Sequence, residues 1–311
     1  MKIIKKDGFE AESIVKAEIQ NIFRRENIEI LFFPTARIYP KGLSNVEIVS
    51  TIYDLQHEHH PQNFSKDELA YKKYNYKYAV EQADKIIAIS NYTKLDIIKK
   101  YSINADKIHV TYLSGGKYNK KDTVNSTFGI KLPKQFIFYP AALWVHKNHK
   151  ILIEALNNLK SKFPNLYLVF TGLIKDKKLK DEIDTIIMNY SLSEKVLFLG
   201  YVSEEVLDAI YQNAQAMIFP SMFEGFGIPI LEAFMRGLPV AAANNTSLTE
   251  VVGDAGLLFE TNDTESCIRA IEKILSDVKL RKKLIKLGLE RAREYSWKNT
   301  AKNTLEIINN L

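Results

Sequence analysis

The stretch from Phe219 to Val240, FPSMFEGFGIPILEAFMRGLPV, most constrains how this chain can fold. Gly225 and Gly227 mark a loop after an apolar run, Pro229 suits the first position of a helix, and Gly237 suits its end. The stretch therefore predicts a strand, a glycine-containing loop, a short helix and a second strand. The predicted helix is apolar on nearly every side, which is typical of a buried helix.

Two acidic residues stand out in this stretch, Glu224 in the loop and Glu232 in the helix. A buried polar group without a partner costs about 1–3 kcal/mol, so Glu232 is expected to face a cleft or a hydrogen-bond donor. The loop glycines and the helix amino terminus favour a phosphate, and the two carboxylates can accept from hydroxyl groups beside it. Alternatively, both glutamates only cap or bond backbone amides.

Composition sets the broad class of the protein. The 311 residues are 46% hydrophobic and 26% charged, with no apolar run long enough to span a membrane and no signal-peptide core at the start. We therefore expect a cytoplasmic protein. Cys267 is the single cysteine, which excludes an intrachain disulfide and a cysteine-based metal site. The net charge of +6 suits phosphate ligands or an anionic membrane, although a solvated lysine-rich surface explains it more simply.

Apolar strands and amphipathic helices alternate along the chain, which predicts an α/β protein with parallel sheets. The predicted strands are residues 28–33, 46–52, 85–89 and 107–113 in the first half, and 136–139, 166–171, 196–199, 216–219, 239–242 and 257–259 in the second. A polar, lysine-rich segment at 117–134 is interpreted as the linker between two domains.

The helix YKKYNYKYAVEQ at 71–82 allows two interpretations. Its lysines and tyrosines suit a membrane surface or a nucleic acid. Because Tyr71, Tyr74 and Tyr78 follow helical spacing, packing of the tyrosines on the core with solvated lysines opposite is favoured.

The segment PSMFEGFGIPILEAFMRGLPV resembles the signature of retaining GT-B glycosyltransferases of glycosyltransferase family 4, which is Glu, seven residues, Glu. Further similar segments follow the family's order: the run at 83–116, YPAALWVHKNH, LVFTG, VLFLGYV, TSLTEVVGDAGLLFE and YSWKNTAKNTLEII. The resemblance covers most of residues 47–311. It implies an α/β GT-B fold, with two Rossmann-like domains facing a cleft and a shortened N-terminal domain. We predict an acceptor-side domain at 1–125, a nucleotide-sugar domain at 126–295, and a helix at 296–311 that returns to the first domain.

The resemblance also implies roles for individual residues. Glu224 contacts sugar hydroxyls, Lys147 neutralises the leaving diphosphate, and His57 supplies a cleft contact; these are the candidate catalytic residues. The candidate donor-binding residues are Glu232, which holds the ribose, and Phe226, Gly227, Ile228, His146, Tyr201, Val202 and Glu250. Simpler alternatives are a solvated Lys147, helix capping by His146 and Asn148, and a helix-start acid at Glu250.

Three departures from the family pattern bear on this assignment. No arginine lies between Tyr139 and Val145, and Tyr53 stands where many members have a histidine. His57, His59 and His60 follow, but they do not favour a metal site, and neither a metal nor a cofactor is expected. The third departure is that the N-terminal domain begins part-way into the family's pattern. Three explanations stay open: a naturally short protein, a truncated reading frame, or a partner chain that covers the missing surface.

The resemblance thus implies a retaining hexosyltransferase of surface polysaccharide assembly. The expected donor is a GDP- or UDP-linked sugar, with mannose slightly favoured, and the expected acceptor is a glycan or lipid-linked glycan. A lipid-linked acceptor would make peripheral contact of the protein with the inner membrane face useful. No nucleic acid is expected. Two alternatives stay open: a non-catalytic nucleotide-sugar-binding subunit or remnant, and a GT-B nucleotide-sugar epimerase.

Overall fold

The computed structural model describes residues 8–116 and 130–311, with side chains from residue 14 onward in the first range. These residues form two compact units. Unit 1 contains the described residues up to Tyr112 together with Lys298–Leu311, and unit 2 contains those of Leu113–Trp297. The predicted domain boundary at 125/126 and most of the predicted linker lie outside the described residues.

Unit 1 is built around a parallel sheet with the strand order β1-β2-β3-β4. Its elements are α1 (Gly8–Arg25), β1 (Ile30–Phe33), β2 (Glu47–Ile52), α2 (Gln56–His59), α3 (Lys66–Gln82), β3 (Lys85–Ala88), α4 (Asn91–Tyr101) and β4 (Ile108–Val110). Alternate residues of a strand face opposite sides of a sheet. Accordingly Ile52 and Ile86 join the larger core cluster, whereas Val49 and Ile87 form a separate cluster with Ile307.

The helix α3 corrects one prediction. Tyr71 and Tyr74 are 53% and 59% exposed, so they do not pack on the core, whereas Tyr78 is half-buried against it. The buried face of α3 instead contains Asn75, with Ala79 and Val80. Helical spacing predicted one face with all three tyrosines on the core, but the residues of α3 that pack against the core cluster are Tyr76, Tyr78, Ala79 and Val80.

Unit 2 contains a six-stranded parallel sheet with the order β10-β9-β8-β5-β6-β7. Its elements are β5 (Phe136–Pro140), α5 (His149–Leu159), β6 (Tyr167–Thr171), α6 (Lys177–Asn189), β7 (Val196–Phe198), α7 (Glu204–Asn213), β8 (Ala216–Phe219), α8 (Ile228–Met235), β9 (Val240–Ala243), α9 (Leu248–Val252), β10 (Leu257–Phe259), α10 (Thr264–Ser276) and α11 (Val278–Arg293). The final helix, α12 (Trp297–Asn309), begins in unit 2 and continues in unit 1.

The central strands of this sheet are buried on both faces. β8 and β9 are fully buried, as expected for parallel strands that are covered by helices on both sides. The strand order changes direction between β5 and β8, because the chain runs outward from β5 through β6 to β7 and then returns to β8. Open α/β sheets bind ligands outside the carboxyl ends of the strands at such a switch point. The fold therefore predicts a ligand-binding site at the loops that follow β5 and β8.

Within residues 8–116 and 130–311, no helix is long and apolar enough to cross a membrane.

Candidate donor-binding site

The amino terminus of α8 lies at the switch point of unit 2. Gly227 caps this helix with φ 109°, and Pro229 occupies its first turn. The backbone angle requires glycine, and a Cβ added at Gly227 would also crowd the Leu248 side chain at 3.0 Å. Since the first amides of a helix lack intrahelical partners and its dipole is positive there, this end suits an anion such as a phosphate.

The loop before α8 is held by hydrogen bonds from the segment that leads into α9. The hydroxyl of the fully buried Ser247 lies 2.9 Å from the carbonyl oxygen of Glu224 and 3.0 Å from that of Phe226. The Glu224 amide donates to Thr246 Oγ1 over 3.3 Å. Phe226 is buried and packs edge-on against Tyr295, with 5.9 Å between ring centroids. The main chain from Glu224 to Gly227 is thereby fixed before a ligand arrives.

Lys147 and Glu224 meet at this point. Lys147 Nζ lies 2.5 Å from Glu224 Oε1, and the two side chains are 20% and 14% exposed. The loop after β5 that carries Lys147 is also anchored, since the buried Tyr139 donates its hydroxyl to the Lys147 carbonyl over 3.0 Å. A partly exposed ammonium beside a helix amino terminus is available to an incoming phosphate, while the carboxylate keeps it oriented.

His146 takes part through its main chain. Its carbonyl oxygen accepts from the Met222 amide over 2.7 Å and lies 3.3 Å from the Ser221 hydroxyl. These bonds connect the loop after β5 with the loop after β8. Asn148 occupies the N-cap position of α5, but its side chain makes no capping hydrogen bond, and its amide donates to Asn262 over 3.1 Å.

Glu232 lies one turn into α8 and has the hydrogen-bond donor that burial demands. Its Oε2 accepts from the hydroxyl of Tyr211 over 3.0 Å. The other carboxylate oxygen faces Gly116, where an added Cβ would lie 3.1 Å from Oε1. Ile228 begins α8 and brings its backbone amide to the helix entrance.

The remaining predicted donor-binding residues lie on separate loops of unit 2. Tyr201 follows β7 and is 80% exposed, with Val202 half-buried beside it. Glu250 lies in the first turn of α9, as its helix-start alternative requires, and its carbonyl accepts from Arg291. Their roles in donor binding stay predictions.

His57 belongs to unit 1 and is deeply buried. Its ring is 1% exposed, packs edge-on against Tyr76 at 4.3 Å, and has no hydrogen-bond partner among the described residues. Burial lowers the pKa of His57 to about 4, so the ring is neutral near pH 7. A substrate would reach this ring only after the residues over it move, and its catalytic role stays a prediction.

Unit 1 also contains a cavity of about 590 Å³ at the carboxyl ends of β1 and β2. Tyr53 and Tyr71 form part of its wall, and Tyr53 is held by donation of its hydroxyl to the Pro34 carbonyl over 2.9 Å. Arg37 and Lys72 supply two cations, and Asp67 and Glu68 supply two carboxylates. The wall is therefore aromatic, polar and balanced in charge.

Sequence reasoning missed the residues that support the site. Tyr211 and Ser247 bond residues more than twenty positions away, Tyr139 bonds the Lys147 carbonyl eight positions away, and a single tyrosine or serine carries no motif. In the described part of the chain, no group of three or more His, Cys, Asp or Glu side chains is arranged to hold a metal ion.

Residues 120–291 match the family model described as Glycosyl transferases group 1, and residues 12–113 match the one described as Glycosyltransferase Family 4. O-antigen chain mannosyltransferase B of Escherichia coli is 29% identical over 83% of this chain and 68% of its own length. The serotype-specific mannosyltransferase WbdA of Escherichia coli is 30% identical over 73% of this chain, which spans only 29% of WbdA.

Solved structures share the fold. A glycosyltransferase from Rickettsia africae ESF-5 superposes with a TM-score of 0.78 at 21% identity, covering 100% of this chain and 83% of that protein. Anabaena HepE in complex with UDP and glucose gives a TM-score of 0.75 at 19% identity, covering 95% and 81%. At these identities the similarity concerns the fold alone.

Proposed function

Because the chain belongs to the family of glycosyl transferases group 1 and has the GT-B fold, we propose that it transfers a hexose from a nucleoside diphosphate sugar to a glycan or lipid-linked glycan. The mannosyltransferase relatives support assembly of a surface polysaccharide and favour mannose as the sugar. GDP and UDP are both candidate carriers, since Tyr201, in the loop that would meet the base, is 80% exposed and favours neither.

The ion pair of Lys147 with Glu224 beside the amino terminus of α8 carries this proposal. A donor diphosphate at this place would gain the free amides of α8 and the ammonium of Lys147. The amides and the ammonium interact most strongly with the diphosphate when negative charge builds up on it in the transition state. Interactions that are stronger in the transition state than with bound substrate lower the reaction barrier. Glu224 would then direct its carboxylate toward hydroxyls of the transferred sugar, and Glu232 would hold the ribose.

We assign a retaining course to the reaction. The bond between the anomeric carbon and the diphosphate oxygen breaks through an oxocarbenium-like state. The acceptor hydroxyl forms its new bond on the same face, and its proton passes to the departing phosphate oxygen. Glu224 is assigned to positioning, because its Oε1 is committed to Lys147. Lys147 and α8 provide the charge that a metal would otherwise supply, so activity is expected to persist in EDTA.

The cavity of unit 1 suits a sugar unit of the acceptor. Tyr53 and Tyr71 offer aromatic surfaces, and the balanced charges of the wall favour a neutral ligand that both donates and accepts hydrogen bonds. A glycan has this chemistry. We therefore assign unit 1 to the acceptor.

Transfer assays with GDP- and UDP-linked hexoses and mannose oligosaccharides as acceptors test the proposal, with the anomeric configuration of the product determined by NMR. Lys147→Ala should lower kcat by about 10²–10³-fold, the usual effect of removing one preorganised charge stabiliser. Glu224→Ala should also abolish most turnover.

Lys180→Ala is the matched control, since Lys180 is also 20% exposed and pairs with an acid at 2.6 Å, but on α6. Activity that survives both site substitutions would overturn the site assignment. Tight donor binding without turnover would favour the non-catalytic alternative, and a changed free sugar without acceptor would reveal an epimerase.

A further inference from the structure

Tyr211 is the one buried hydroxyl that contacts a proposed ligand-binding carboxylate among the described residues. It lies near the end of α7 and is 1% exposed. Its ring meets Phe138 edge-on at 5.1 Å, and the guanidinium carbon of Arg236 lies 4.9 Å from its centroid. These contacts hold the ring, so the fold itself sets where the hydroxyl points.

The guanidinium beside Tyr211 is fixed in turn. Arg236 is almost buried, donates to the Glu232 carbonyl over 2.9 Å, and pairs with Asp208 at 2.6 Å. Tyr211, Glu232 and Arg236 thus form a connected set in which each polar group has a defined place. Connected polar groups of this kind hold side chains in one arrangement.

The two oxygens of Glu232 are differentiated by this arrangement. Tyr211 occupies Oε2, whereas Oε1 faces Gly116, whose lack of a side chain leaves room beside it. Burial, followed by the charge of Glu232, raises the pKa of Tyr211 well above its ordinary value, so the hydroxyl stays a donor throughout the physiological range. A carboxylate held at one oxygen presents the other in a constant direction.

We propose that Tyr211 is a positioning residue that orients Glu232 for the vicinal hydroxyls of the donor ribose. This inference rests on the proposed function, since it needs a ribonucleotide at Glu232. The simpler role, satisfaction of a buried tyrosine hydroxyl, makes a different prediction. In that simpler role Tyr211 would matter for packing, and its effect on binding would not depend on whether the ligand has ribose hydroxyls.

Calorimetric binding of GDP and UDP, each compared with its 2′,3′-dideoxy analogue, separates the two roles. For wild type, the ribonucleotide should bind more tightly than its analogue. Tyr211→Phe should weaken ribonucleotide binding by about 10–150-fold, the range for a hydrogen bond to a charged group, and leave dideoxy binding unchanged. Glu232→Gln should lose the same preference.

Two further variants keep the test decisive. Tyr101→Phe removes another hydroxyl that is buried, one without a partner among the described residues, and should change neither affinity. Gly116→Ala crowds Oε1 without touching Tyr211, and should reduce the ribose preference even if Tyr211→Phe folds poorly.

The outcomes are distinct. Equal loss of both affinities in Tyr211→Phe, or loss of neither, overturns the positioning role. If Glu232→Gln keeps the ribose preference, the assignment of Glu232 fails and the inference fails with it. If wild type binds neither diphosphate, the proposed function itself is refuted.

Discussion

Replacement of Lys147 by methionine should separate the structural role of the ion pair from its chemical role. Methionine keeps most of the side-chain volume but removes the charge, which leaves Glu224 ionised while only 14% exposed. Breaking a fully buried pair costs about 3–5 kcal/mol, and this site retains some solvent, so we expect about 1–3 kcal/mol. For a domain of the size of unit 2, each kcal/mol lowers Tm by about 2–4 °C.

The double variant Lys147→Met with Glu224→Gln gives the decisive comparison. Neutralising both partners removes the uncompensated charge, so most of the lost stability should return. Turnover should stay at least about 10²–10³-fold below wild type, because the charge that stabilises the leaving diphosphate is still missing and Glu224 has been replaced as well. Lys180→Met, which leaves the more exposed Asp184, should cost less than about 1 kcal/mol and spare turnover.

Thermal unfolding together with initial transfer rates checks both parts. The reasoning is refuted if the double variant recovers turnover along with stability, since Lys147 would then act only by balancing Glu224. It is also refuted if Lys147→Met transfers sugar at the wild-type rate.

Three further predictions follow from particular residues. Gly227→Ala should destabilise the protein by about 1–3 kcal/mol and weaken diphosphate binding, because φ 109° and the nearby Leu248 exclude a side chain; unchanged binding by calorimetry would contradict this. Burial lowers the pKa of His149 to about 4 in the folded protein, so as the pH falls the unfolded chain binds a proton at this residue before the folded protein does. The free energy of unfolding should therefore fall by up to about 3 kcal/mol between pH 6.5 and 4. Urea unfolding of His149→Phe should show a shallower decline over that range, and an equal decline would exclude His149 as its source. Tyr71→Ala should raise the acceptor KM about tenfold with the donor KM unchanged, whereas Tyr74→Ala, which changes an exposed tyrosine outside the cavity wall, should alter neither; equal effects would argue against the cavity.

The sequence by itself determined the architecture and the centre of the site. Each of the ten predicted strands has an observed counterpart, because buried parallel strands are short apolar runs bounded by turn residues. The short helix after Gly227 was also predicted from local signals, since glycine and proline restrict the backbone wherever the chain goes. Glu224 and Glu232 fall on one loop and one helix turn, so their shared location follows from spacing alone.

Tertiary structure decided what these residues contact. Lys147 and Glu224 are 77 positions apart, and they meet only because β5 and β8 are neighbours at the point where the strand order changes direction. Tyr211 and Ser247 reach the site in the same way, through hydroxyls with no sequence pattern of their own. Such bonds depend on strand order and helix placement, which local propensity does not encode.

The same reason explains the tyrosines of α3 and the burial of His57. Helical spacing identifies residues that share a face, but packing in three dimensions decides which face is covered, and here Ala79 and Val80 lie in the core while Tyr71 and Tyr74 are exposed. His57 occurs in a segment as polar as any surface loop, yet packing against Tyr76 encloses it. Local sequence thus determined which elements form, and the free energy of packing them together decided which side chains are left to face a ligand.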